Sequence, residues 1–174
     1  MNENLLLEIS LSNLKNNVKR VFGPERETRS KPVNVVNYQA VPSISNKTLL
    51  FKFNINSGGT KYSVNVNFIN VVFFDKASAE SRPDAVSVVA TDGTEYFFQR
   101  FTSAQKQVKV NCSCLDFHFR FSVWNHQKDA LDGDPPQPYV KKTDREPVNP
   151  TKSPGACKHI LKCVEFLRGE GILR

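Results

Sequence analysis

The chain has 174 residues, 39% of them hydrophobic and 24% charged, with a net charge of +7. That length supports one domain, residues 1–174, with a real core, since a chain near 150 residues buries about 70% of its unfolded surface. The composition is that of a globular protein, not a disordered one. The longest apolar run, Val71-Val72-Phe73-Phe74, is far too short to span a bilayer, so no membrane partner is expected. Met1-Asn2-Glu3-Asn4 carries no basic n-region, so no signal peptide and cytosolic folding are expected. The positive charge is compatible with nucleic acid, but it is dispersed. Lys141, Lys142, Arg145 and Lys152 interleave with Asp132, Asp134, Asp144 and Glu146. A solvated surface with a basic bias is the plainer reading.

In chain order, residues 4–22 carry Leu6, Ile9, Leu14, Val18, Val21 and Phe22 at three-to-four spacing. This predicts an N-terminal amphipathic helix, within residues 1–22, ended by Gly23-Pro24. Ile9 and Leu11 also alternate, which leaves a strand start open. A polar loop over 23–32 leads into a β body spanning 33–111. Its first strand, Val33 to Val41, is stopped by Pro42. Leu49, Phe51, Phe53 and Ile55 alternate with polar residues, as do Tyr62, Val64, Val66 and Phe68. Segments 49–56 and 61–74 are therefore expected to form an antiparallel hairpin across Ser57-Gly58-Gly59-Thr60. Segments 86–91 and 94–101 form a second hairpin, with Asp92-Gly93 suited to a type I′ turn. Val108 and Val110 start one more strand, for a sheet of about five, which delivers the chain to Cys112.

Beyond Cys114, Phe117, Phe121 and Trp124 fit one helical face, although Phe117, Phe119 and Phe121 also fit period two. Helix is the preferred reading, with Asp116 as its cap and Gly133 as its end. Residues 132–155 hold six of the ten prolines and read as a long extended loop. The C-terminal helix covers Ala156 to Arg168, with Ile160, Cys163, Val164 and Leu167 on one face and Gly169 closing it.

Two pairs carry chemistry: Cys112-x-Cys114 and Cys157-x-His159. Structural zinc takes four soft or borderline ligands in a tetrahedron, and three cysteines with one histidine are a common closed set. Cys-x-Cys at a strand end puts both sulfurs on one side of the chain. Residues two apart on a helix point about 200° apart, so Cys157 and His159 converge only if Cys157 precedes the helix proper. Pro154-Gly155 supplies the turn. Metal-free core cysteines or a disulfide are the competing readings, the disulfide disfavoured in a reducing compartment. Cys163 is expected in the core, and His118 and His126 are the conceivable substitute ligands.

The order Cys-x-Cys, insertion, Cys-x-His resembles SWIM-type zinc modules, over residues 108–168 with a proline-rich insertion at 132–155. The wider string, CSCLDFHFRF, then a proline-rich loop and PGACKHIL, is similar to small SWIM-like proteins encoded among the virion structural genes of large tailed bacteriophages. That resemblance implies a component of a phage neck, tail or baseplate, assembled in the host cytoplasm alongside other virion structural proteins.

No P-loop, G-x-G-x-x-G or H-E-x-x-H occurs, and a zinc with four protein ligands keeps no open position for water. No enzyme and no small-molecule substrate are expected, and Glu95, Asp116 and Glu165 read as ordinary charges. The expected architecture is α+β: an antiparallel β-sheet body, an N-terminal helix and a C-terminal zinc-bound helical segment. The expected function is a non-enzymatic, zinc-stabilised structural or assembly protein; the alternative is a nucleic-acid-binding SWIM-type module. All four ligands follow residue 111, so the sheet is expected to stand without the metal, which only clips the C-terminal segment in place. Residues 4–22 and 132–153 are expected to be contacts to partners in an assembly.

Overall fold

The computed structural model describes residues 9–23, 32–104, 107–137 and 142–174. The expected helix over residues 4–8, the loop residues 24–31 and Pro138 lie outside them. The fold is α+β, as expected. A four-stranded antiparallel sheet runs in the order β1-β2-β3-β7, built from β1 (Val33–Ser43), β2 (Thr48–Ser57), β3 (Thr60–Phe68) and β7 (Val108–Cys112). A second, three-stranded sheet has the order β4-β6-β5, from β4 (Phe73–Phe74), β5 (Ala85–Val89) and β6 (Glu95–Gln99). The expected single sheet of about five strands is thus seven strands in two sheets among the described residues.

The division falls where the expected strand 61–74 breaks. Asn70 takes a positive φ of 56°, and the chain leaves β3 after Phe68 to join the other sheet at Phe73. Phe101 joins the two layers, its ring stacked on Phe68 at 4.0 Å and on Phe98 at 5.0 Å. Side-chain alternation in β2 and β3 is as read from the sequence: Leu49, Phe51, Phe53, Ile55, Val64, Val66 and Phe68 are buried. Gly58 and Gly59 both have positive φ, which the two-residue turn between β2 and β3 requires. The second hairpin is different. Only Gly93 has positive φ, Gly93 N–H donates to Ala90 O, and Ala90 N–H donates to Thr94 O. That is a three-residue loop with a glycine bulge, not the expected type I′ turn. Pro42 does not stop β1, which runs on to Ser43; an edge strand tolerates proline because one side of its backbone makes no ladder bonds.

Helix α1 (Leu11–Phe22) starts later than its hydrophobic pattern suggests. Ser10 is extended and makes an isolated antiparallel bridge to Gln107, with Val108 N–H donating to Ile9 O, but Leu11 is already helical, so the strand start left open by the sequence amounts to a single bridge. Ser10 then caps the helix, its hydroxyl accepting from Asn13 N–H while Asn13 Oδ1 accepts from Ser10 N–H. Leu11, Leu14 and Val18 are buried, so one face of this helix packs within the chain. Residues 115–127 are helical: α3 (Leu115–Phe117), a π-turn (His118–Ser122) and α4 (Val123–Gln127). Phe117 and Phe121 are buried and Phe119 is exposed, which decides against the period-two reading. Cys114, not Asp116, caps α3, and the chain turns at Asp129, with φ 51°, well before Gly133.

Helix α5 (Lys158–Gly169) lies across the inner face of the four-stranded sheet. Ile160, Cys163, Val164 and Leu167 are buried, and Phe166 packs edge-on against Tyr38 and Phe53. The helix ends in a Schellman motif, Ile172 N–H donating to Leu167 O and Gly171 N–H to Arg168 O. Gly171, with φ 72°, is the residue that closes it, not Gly169. The buried residues of α1, α5 and both sheets form one continuous core cluster. The expected separation of a self-sufficient sheet from a clipped tail has no counterpart in this packing. Among the described residues no helix is long and apolar enough to cross a membrane.

Candidate metal centre

The centre lies where β7 hands over to α3 and the proline-rich loop hands over to α5. Cys112 ends β7 opposite Val64. One residue on, Ser113 stays tied to β3: its N–H donates to Ser63 O, and Ser63 N–H donates to its hydroxyl. Extended geometry is thereby kept for one further step, and Cys114 returns to the same side as Cys112. Cys114 is extended, with φ −77° and ψ 146°, and its Sγ accepts from Phe117 N–H at 3.3 Å.

The second pair meets the condition set by helix geometry. Cys157 is the N-cap of α5, extended at φ −78° and ψ 169°, and His159 lies in the first turn. Three amides the sequence did not single out hold this approach. Buried Asn125 donates to Gly155 O at 3.0 Å and accepts from Gly155 N–H at 2.8 Å. Asn149 donates to Arg120 O and Ser153 O, and Asn17 donates to Pro154 O. Gly155 itself is required by space, since a Cβ there would meet Phe121 Cε1 at 2.5 Å and Val18 Cγ2 at 3.1 Å. The end of the loop is therefore anchored within the chain, while residues 142–148 are exposed. No periodicity distinguishes a buried asparagine from a turn asparagine, which is why this anchorage was not legible.

Cys112, Cys114, Cys157 and His159 each offer one ligand atom, all within 4.8 Å of one another. All four residues are at most 4% exposed. His159 Nδ1 lies 3.6 Å from Cys112 Sγ and 3.9 Å from Cys157 Sγ. A tetrahedron of metal–ligand bonds near 2.0–2.3 Å has edges of about 3.6–3.8 Å, so the two His159 edges already match and the widest pair would close by about 1 Å at most to hold an ion. Tyr62 stacks on the His159 ring at 4.3 Å and fixes its plane. Nδ1 faces the sulfurs, and Nε2 is buried with no hydrogen-bond partner among the described residues.

The electrostatics agree with a cation. Three sulfurs this close cannot all be thiolates unless positive charge is added. Without it, Cys114 holds the Cys112 thiol up to about 12, and burial pushes Cys157 well above the ordinary thiol range. Cys114 is drawn far down by the hydrogen bonds it receives from Cys112 and Cys157. An ion entering the cluster would displace the protons that the raised thiols hold. The donor set and its burial fit one bound metal ion.

The other candidates fall outside the cluster. Cys163 is fully buried on the core face of α5, and burial raises its thiol pKa. All four cysteines are free thiols. His118 and His126 are exposed. Asp116 pairs with Arg120, Glu165 pairs with Lys162, and Glu95 accepts from the Ser87 hydroxyl. Comparisons with models of known protein families, with curated proteins and with solved structures found no match.

Proposed function

We propose that the ion is zinc and that the protein is a non-enzymatic, zinc-stabilised structural or assembly component of a tailed-phage virion, in its neck, tail or baseplate. The observation that carries the structural role is the closed set of Cys112, Cys114, Cys157 and His159, buried on every side. Three sulfurs and an imidazole match the softness of zinc, and four protein ligands leave no coordination position for a substrate. In such a site the ion acts as a cross-link, tying the end of β7 to the start of α5. Placement in the virion rests on the resemblance of the CSCLDFHFRF and PGACKHIL strings to SWIM-like phage proteins. Its partners would be other virion structural proteins, met in the host cytoplasm.

Elemental analysis of protein purified without added metal is expected to give about one zinc per chain. Metal-free protein with four titratable thiols would remove the zinc. Mass spectrometry of purified virions tests the location separately. The competing nucleic-acid role predicts retention on heparin with a steep salt dependence. It is weakened by the pairing of Lys109 with Asp129, Lys162 with Glu165 and Arg82 with Asp84.

A further inference from the structure

The solvent-facing side of the four-stranded sheet carries a groove of about 380 Å³ that runs across the strands instead of along them. Its floor is one lateral row of small polar side chains. Asn37 on β1 is paired with Asn54 on β2, and Asn54 with Ser63 on β3. Ser63 is tied in turn to Ser113 just beyond β7. Four chains at about 4.8 Å spacing make the row about 14 Å long. Asparagine is depleted in strands, so two facing asparagines in the middle of paired strands are poor choices for stability alone.

The hydrogen-bonding capacity left over in this row is specific. Asn54 Nδ2 donates to Asn37 Oδ1 at 2.6 Å. That bond leaves the Asn37 amide as a donor and the Asn54 carbonyl as an acceptor, side by side and exposed, with no other partner among the described residues. The Ser63 hydroxyl is free in the same sense, and the Ser113 hydroxyl keeps its proton to donate. Lys61 borders the row without an ion-pair partner among the described residues, and no carboxylate lines the groove. Val36, the β-bulge residue, is 62% exposed at one end and offers a small apolar wall. Tyr62, the aromatic at the border, has its ring stacked on His159.

We infer that this groove binds a short acidic oligosaccharide. Neighbouring donor and acceptor amides match vicinal hydroxyls, which donate and accept in the same way. The Lys61 ammonium complements a sugar carboxylate or phosphate, and the exposed Val36 side chain meets the C–H face of a sugar ring. Single-stranded nucleic acid fits less well, because sequence-tolerant binding of bases needs open aromatic faces. This site is independent of the virion reading. Its far wall, Ser113, lies between metal ligands Cys112 and Cys114, so the metal-loaded chain is the form to test.

The experiment is a titration of ¹⁵N-labelled, metal-loaded protein with trigalacturonate, maltotriose and oligothymidylate, following the side-chain amide resonances of Asn37 and Asn54. Trigalacturonate is expected to shift both saturably and to bind more tightly than maltotriose. No shift at these amides with trigalacturonate overturns the proposal. Oligothymidylate moving the same amides as strongly also overturns it, in favour of general polyanion binding. Equal affinity for maltotriose overturns the role of Lys61 and the acidic specificity. The double variant Asn37→Thr/Asn54→Thr places good strand formers at both positions, so its thermal midpoint should hold or rise. Its affinity for trigalacturonate should fall by about tenfold or more; a folded double variant that binds undiminished overturns the assignment.

Discussion

Replacing Cys157 with Ser should unfold the whole chain cooperatively rather than release its C-terminal third. The substitution removes one of the four buried side chains that could hold a metal ion and, with it, the proposed cross-link between β7 and α5. What then depends on α5 can be estimated from what it buries. Ile160, Val164 and Leu167 are each at most 4% exposed, and full burial of such side chains is worth about 1.5–3 kcal/mol each, or about 5–9 kcal/mol together. A whole domain is stable by only about 5–15 kcal/mol. Undocking α5 would also expose Phe53 and Tyr38, which Phe166 covers. The sheet therefore has no margin with which to stand alone. A loss of even 5 kcal/mol lowers the midpoint by about 10–20 °C in a chain of this size. The assay is thermal unfolding of wild type and Cys157→Ser followed by far-ultraviolet circular dichroism and by fluorescence of the single tryptophan, Trp124 on α4. The two signals should change together, at a much lower temperature in the variant. Sheet ellipticity that persists after the Trp124 signal has gone would show that the metal only clips a tail, and would refute the reasoning from a shared core.

Asn125→Ala should cost about 2–4 kcal/mol in urea unfolding, because it leaves both the N–H and the C=O of buried Gly155 unsatisfied; a cost below 1 kcal/mol would mean that water or a shift of the loop replaces the amide. Gly155→Ala should cost about 1–3 kcal/mol by overpacking against Phe121 and Val18, whereas Gly169→Ala, with open space around it, should be neutral or stabilising. Burial raises the Cys163 thiol, so its contribution to stability is complete below the unfolded thiol pKa of about 8.5 and is lost as pH rises above it. Urea midpoints compared between pH 7.5 and 9.5 should therefore fall less in Cys163→Ala than in wild type, and parallel falls would exclude this thiol as a cause.

The convergence of Cys112, Cys114, Cys157 and His159 is the clearest case of a site legible in sequence. Period two places Cys112 and Cys114 on one side of a strand, and helical geometry demands an extended Cys157 before His159; neither requirement depends on distant residues. The alternation of β2 and β3 was legible for the same reason, being set by which face of a strand meets the core. Residues 117–124 were ambiguous because their aromatics satisfy both periods. The choice was made by the core, which takes Phe117 and Phe121 and leaves Phe119 outside. Helix ends were misplaced where the closing residue belongs to a motif rather than to a composition: Cys114 caps in place of Asp116, and Gly171 closes in place of Gly169.

The sequence by itself determined the strands, the helical C-terminus and the identity of the four convergent side chains, since all of these follow from periodicities and spacings within a few residues. The tertiary structure alone decided that the strands divide into two sheets, that α5 covers one of them, and that Asn17, Asn125 and Asn149 anchor the proline-rich loop. These are contacts between residues up to 137 positions apart. Their energy resides in which buried groups find partners, and a side chain carries no local sign of the partner it will find.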